Sequence, residues 1–173
     1  MNKEWLDGMW DFMRQKYGIY LRVLDAIPAE RFHDHPVPGM RTPAQMVVHT
    51  SGSILRDIAE GIASGEIAAD EAGEHEVAAR LESKEQVVDF ARECWRRADE
   101  AIGSVRDEQL AGPVKNGWGI PLTGTFAMVV LNDEFLHHRG QLYTYLRVCG
   151  GEPPFMWGFE ENPEGFTPAA RPG

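Results

Sequence analysis

The chain has 173 residues, of which 43% are hydrophobic and 25% charged, so it is long enough for one domain with its own core. Its formal net charge is −10, which disfavours non-specific binding to nucleic acid or to an anionic membrane. The N-terminus lacks the pattern of a signal peptide, and no apolar run approaches the roughly 20 residues that span a bilayer. We therefore predict a cytoplasmic protein with no nucleic-acid or membrane partner.

Apolar residues recur at helical spacing in four stretches, which predicts four helices. Their predicted ranges are 2–27, 42–65, 83–105 and a last one from 123 or 125 to 149. Pro28 ends the first helix, and Thr42 with Gln45 forms a capping box at the start of the second. Because each helix has one apolar stripe to bury, we predict an all-α four-helix bundle over residues 1–158. Residues 159–173 are predicted to be a partly mobile C-terminal tail.

Three segments outside these helices carry separate expectations. Residues 66–82 are acidic and rich in alanine, which predicts a solvated, partly helical connector with His75 exposed. In the loop 106–122, Trp118 stands between two glycines and is either the cover of a pocket mouth or a cap on the core. The aromatic residues within 155–159 are expected to pack back onto the helices.

The fourth helix places a histidine on its core-facing stripe. The stripe runs in steps of four and three through Leu131, Phe135, His138, Leu142, Tyr145 and Cys149. Glu134 lies one turn before His138, close to the same face. A carboxylate and an imidazole at this spacing can reach the same metal ion, and zinc, nickel, iron and manganese accept both kinds of ligand.

His49 is the candidate for the third ligand. It lies near the start of the second helix, at the edge of its apolar face, and small residues follow it at 51–53. Taken alone, it is better interpreted as a hydrogen-bonded structural histidine; taken with Glu134 and His138, it completes a set of two histidines and one carboxylate. Such a site keeps a position for water or substrate and lowers the pKa of a bound water or thiol.

Three further residues near this level are catalytic candidates. His137 is interpreted as an alternative ligand, a partner of a ligand, or a base. Arg139 and Gln141 could hold a substrate carboxylate, or pair with acids of the third helix. Glu134 and His137 also match the E-x-x-H pattern of di-iron bundles, but the only other match, residues 30–33, lies in a proline-rich loop.

The last predicted helix and the segment that follows it resemble the C-terminal signature of the DinB/YfiT-like superfamily. The residues that carry this resemblance are 138–142 (HRGQL), 145–147, Gly150 and 153–154, with weaker matches at 24–28 and 38–42. The resemblance implies a bundle with up-down-down-up connections, often dimeric. It also implies a divalent metal, usually zinc or nickel, at positions that are His49, Glu134 and His138 here. The family usually has histidine where this chain has Glu134, which weakens the metal as a Lewis acid or marks a branch without metal.

Two functions from different classes follow from these observations. The first is a metal-dependent enzyme that activates a low-molecular-weight thiol, as in the thiol S-transferases of the family, or water. Its partners would be a small-molecule substrate and a second copy of the chain. The second is a non-catalytic small-molecule-binding or stress-response module without metal.

Overall fold

The computed structural model describes residues 1–68 and 71–169, which are mostly helical. The helices are α1 Lys3–Ala26, α2 Pro43–Val47, α3 Asp57–Ser64, α4 Glu71–Arg80, α5 Lys84–Ser104, α6 Asp107–Ala111 and α7 Gly124–Val148. A π-helical segment, Val48–Arg56, joins α2 to α3, so the three pieces form one continuous helix. Two short antiparallel strands, β1 Pro113–Val114 and β2 Leu122–Thr123, and two 3₁₀ turns, Ala29–Arg31 and Phe159–Glu161, complete the described structure.

Local capping explains why the long helices begin where the sequence predicts. The side chain of Asn2 accepts a hydrogen bond from the backbone of the first turn of α1. Thr42 and Ser83 form capping boxes at the starts of α2 and α5, and Thr123 caps α7. At the end of α3, Gly65 has φ 89°, a left-handed conformation that favours glycine. The four predicted helical ranges are therefore confirmed to within a few residues.

Aromatic residues from three of the long helices form the centre of the core. The rings of Tyr17 and Phe135 are 5.7 Å apart, and those of Tyr20 and Phe135 are 5.5 Å apart. The hydroxyl of Ser51 lies 3.0 Å from both tyrosine hydroxyls, and Tyr17 donates to the carbonyl of Ala91. Ser51, a small residue of the π-helical segment, thus leaves room for the two buried tyrosine rings and is a hydrogen-bond partner of both hydroxyls.

The π-helical segment holds the first candidate ligand, His49. Its wider turn is visible in the hydrogen bond from the backbone N–H of Asp57 to the carbonyl of Gly52, five residues earlier. Such segments are rare and are often found at functional sites. All residues from Val48 to Leu55 are buried, so the widened stretch lies inside the helical packing.

The acidic stretch 66–82 differs from the prediction of a solvated connector. Residues 71–80 form α4, which packs on the π-helical segment, and Glu74 is only 8% exposed. An acid is tolerated there because it is hydrogen-bonded to two side chains of that segment. His75 is exposed, as predicted.

The C-terminal segment is anchored further along than predicted. Phe155 and Trp157 are 69% and 58% exposed, so the expectation that the aromatic residues of 155–159 all pack onto the helices is wrong for these two. Instead, the Asn162 amide donates to the carbonyls of Gln15 and Phe166, and the Phe166 ring contacts core aromatic residues. The rest of the predicted mobile end, residues 170–173, lies outside the described residues.

None of the helices in the described ranges combines the length and the hydropathy that a bilayer-spanning helix requires.

Candidate metal centre

His49 of the π-helical segment and His138 of α7 meet inside the protein. Their Nε2 atoms are 3.1 Å apart, and the rings cross nearly at right angles, with an interplanar angle of 85°. Both residues are nearly buried, at 9% and 7% exposure. Two of the three predicted ligands are therefore brought together.

The other nitrogen of His49 faces an ionised carboxylate. Its Nδ1 lies 2.7 Å from Oε1 of Glu74, and the Ser53 hydroxyl donates to the same oxygen at 2.5 Å. Burial raises the pKa of Glu74, but the hydrogen bonds from His49 and Ser53, with the charge of Arg41 3.6 Å away, outweigh it and hold the pKa of this carboxyl below its usual range. Because Glu74 is ionised and only accepts, Nδ1 of His49 carries the proton and donates it.

The other nitrogen of His138 is held by an amide. Its Nδ1 lies 3.1 Å from Oε1 of Gln141, whose Nε2 in turn donates to Nε2 of His137 at 3.1 Å. Burial is the main cause that lowers the pKa of His138, so the ring is neutral near pH 7. With the Gln141 amide in this orientation, the single proton of His138 is on Nδ1 and is donated to the amide oxygen.

The Nε2 atoms of the two rings face each other. The two Nε2 atoms lie 3.1 Å apart, so either one ring donates an Nε2–H to the other or a shared cation lies between them. An Nδ1–H donated to a carboxylate or to an amide oxygen is also the usual support of a metal-binding histidine.

Glu134 lies at the edge of this pair. Its Oε2 is 3.4 Å from Nε2 of His138, and its side chain is 47% exposed. No hydrogen bond or ion pair joins it to His49, and in the described part of the chain no three His, Cys, Asp or Glu side chains are arranged to hold a metal. The imidazole pair fits a divalent ion chemically, and Glu134 would have to rotate towards it to complete the set.

The three catalytic candidates are placed differently. Gln141 lies between the two adjacent histidines, and His137 is exposed at the outer edge of the network. Arg139 turns to another side of α7, where it lines a separate pocket. Within the described residues Arg139 has no ion pair, so the alternative that it pairs with acids of the third predicted helix, α5, is wrong.

Two side chains of the network were missed by the sequence interpretation. Ser53 follows His49 by four residues and so lies on the same helix face, a signal that was available. Glu74 is one of six acids in the stretch 66–82, and nothing local distinguishes it from its neighbours. A third polar group, the buried hydroxyl of Tyr145, is two turns after His138 on α7 and has no hydrogen-bond partner among the described residues.

The chain belongs to the DinB superfamily, whose family model matches residues 13–142. The structure is similar to that of YjoA, a DinB-like protein from Bacillus subtilis, with a TM-score of 0.66 and 18% sequence identity. This similarity covers 84% of this chain and 93% of YjoA, and at this identity it shows a shared fold alone. No curated protein matches the sequence. The resemblance drawn from the C-terminal motif is confirmed.

Proposed function

We propose that the protein binds one divalent metal ion through His49, Glu134 and His138 and uses it to activate a small thiol or a water molecule. We also propose that its long helices have the up-down-down-up bundle connections of the superfamily and that the chain forms a homodimer. Zinc and nickel are the preferred ions in this proposal, with iron and manganese as alternatives.

One observation carries the proposal: two buried imidazoles face each other through Nε2 atoms 3.1 Å apart. Each ring is held by its Nδ1, one by Glu74 and the other by Gln141. Burying two imidazoles is energetically unfavourable unless their facing Nε2 atoms have a hydrogen-bond donor or a cation as a partner. A bound cation satisfies both at once.

The residues of this chain have separate roles in the proposed chemistry. A bound divalent ion would lower the pKa of a thiol or water and so supply a nucleophile near neutral pH. Glu74 and Gln141 fix the tautomers and the ring orientations of His49 and His138. Glu134, half-exposed, is the adjustable ligand at the open side.

Metal content measured by mass spectrometry on the untagged protein tests the site. We expect about one ion per wild-type chain after incubation with zinc or nickel, and loss of it in His138→Ala and Glu134→Ala. His33→Ala is the matched control, because His33 is exposed and outside the network, and it should keep the ion. Full metal content in His138→Ala would overturn the ligand assignment.

A proton in place of the metal is the competing arrangement. If the Gln141 amide is reversed, it donates to Nδ1 of His138, and His138 can then donate Nε2–H to His49 in a network of neutral rings. Nitrogen chemical shifts of the imidazoles in the metal-free protein distinguish the two cases. Absence of metal from the wild type together with an Nε2–H tautomer of His138 would favour the non-catalytic binding module.

Activity and assembly are tested after the metal. Transfer of a low-molecular-weight thiol to an electrophile should be lost in Glu134→Ala and kept in His33→Ala. The proposed homodimer predicts twice the chain mass of 19.4 kDa by light scattering, and a monomer mass would refute it.

A further inference from the structure

A second pocket lies on the opposite side of α7 from His138. Its volume is about 600 Å³, within the range of small-molecule sites. Leu136, Gly140 and Tyr143 of α7 form its floor, and residues 152–156 form its wall. These floor positions are about 140–200° around the helix from His138, so the pocket is separate from the imidazole pair.

Arg139 enters this pocket without a counter-charge. Its Nη1 atom is buried and has no hydrogen-bond partner, and no carboxylate in the described ranges forms an ion pair with it. A partly buried guanidinium whose Nη1 has no partner and whose charge is uncompensated is destabilising, so the position is explained if an anion binds there.

The surroundings of Arg139 form a built site. The Tyr143 hydroxyl donates to the carbonyl of Pro154 at 3.0 Å, which fixes the wall to the floor. The guanidinium of Arg147 lies 5.9 Å from the Tyr143 ring and donates to the Tyr143 carbonyl at 3.4 Å. A second cation is thus held at the same pocket, exposed to solvent.

The charge of the lining selects the ligand class. The two arginines face a single acid, Glu152, which has an exposed position and no ion pair in the described chain, so the lining carries one net positive charge. The remaining wall is apolar and includes Phe155, 69% exposed, and Met156, 44% exposed. We propose that this pocket binds small organic carboxylates with one negative charge, the apolar body resting on the wall and the carboxylate on the planar fork of Arg139.

Benzoate is the first probe, with benzamide as its uncharged counterpart and phenyl phosphate as a dianion. Binding is followed on the full chain through the arginine Nε–H resonances at pH 8. We expect saturable binding of benzoate with a shift of the Arg139 resonance, and binding of benzamide at least about tenfold weaker. Phenyl phosphate should bind no more tightly than benzoate, because desolvating a dianion in this partly apolar pocket costs more than desolvating a monoanion.

Variants assign the binding to named residues. Arg139→Met should weaken benzoate about tenfold or more, and Arg147→Met should weaken it less, about threefold. Arg96→Met is the matched control, because this arginine is exposed on α5 and already paired with Glu93 and Glu100, and it should bind as the wild type does. Thermal unfolding of Arg139→Met confirms that the variant is folded.

Four results would overturn the proposal: no saturable benzoate binding by the wild type, unchanged binding in Arg139→Met, equal affinity for benzamide, or tenfold tighter binding of phenyl phosphate. The pocket does not depend on the metal centre. His138→Ala should therefore keep benzoate binding even if the metal proposal fails, and loss of binding in that variant would contradict the separation of the two sites.

Discussion

Glu74 is predicted to be essential to the geometry of the imidazole pair, although it belongs to a short helix outside the four long ones. It is 8% exposed and accepts from His49 at 2.7 Å and from Ser53 at 2.5 Å. Replacing it with alanine removes the acceptor and leaves two buried donors without partners. Each hydrogen bond to a charged group contributes about 1.5–3 kcal/mol.

The net effect is smaller than the sum of both bonds. A pocket of about 210 Å³ borders Ser53 and Glu74, so water can enter and replace part of what is lost. We therefore expect Glu74→Ala to lower the free energy of unfolding by about 2–3 kcal/mol, and Glu74→Gln, which keeps an acceptor but not the charge, by about 1 kcal/mol. For a chain of this size, the alanine variant should unfold about 4–12 °C lower.

Thermal and urea unfolding measure this difference, with Glu76→Ala as the matched control. Glu76 is on the same short helix and exposed, so its removal should change stability by no more than about 0.5 kcal/mol. In the metal assay, Glu74→Ala should weaken binding about 10–100-fold, as is usual for the partner of a ligating histidine. Equal stability of the Glu74 and Glu76 variants would refute the structural role, and unchanged metal affinity would refute the positioning role.

Three further predictions concern other parts of the molecule. Gly18→Ala should lower the free energy of unfolding by about 1–3 kcal/mol in urea, because a Cβ there would overlap the side-chain amide of Asn162. Gly8→Ala, which has open space around it, should raise the free energy of unfolding by about 0.5–1 kcal/mol. Alkylation with iodoacetamide at pH 8, read by peptide mass mapping, should modify Cys149 and spare Cys94, because burial raises the pKa of Cys94 to about 12 and Cys149 is partly exposed. Arg139→Met should be at least as resistant to thermal unfolding as the wild type, since it removes an unpaired buried charge, and a clear loss of stability would show that the guanidinium already has a compensating partner.

The helix limits could be predicted because their signals are local. A capping residue such as Thr42 acts on the backbone three residues away, and the left-handed Gly65 ends its helix through its own φ angle. The burial of His138 could also be predicted from the sequence, because the stripe from Leu131 to Tyr145 is buried as its spacing predicts. Cys149, the last member of that stripe, is only half-buried since α7 ends at Val148.

The features that the sequence did not reveal depend on contacts between distant segments. The π-helical widening coincides with Ser51, whose hydroxyl is placed by two tyrosines of α1. Glu74 is selected from a run of similar acids only by its distance to His49. Phe166 becomes a core residue because it reaches the rings of Tyr17 and Trp95 from the far end of the chain. None of these contacts has a periodicity that one segment displays alone.

The short helix α4 contributes the acid, Glu74, that holds one of the two core histidines in place. His49 and His138 occupy positions that would otherwise hold apolar side chains, and a buried imidazole needs partners for both of its nitrogens. α7 satisfies one nitrogen of His138 through its own Gln141, but no acid of the second long helix reaches His49 in the described structure, and Glu74 reaches it from α4 instead. With both Nδ1 atoms held, the facing Nε2 atoms remain to be satisfied, either by a proton of one ring or by a shared cation. In the metal-bound state proposed above, a single cation would complete the network, and Glu134, whose Oε2 lies 3.4 Å from Nε2 of His138, would be the carboxylate next to it.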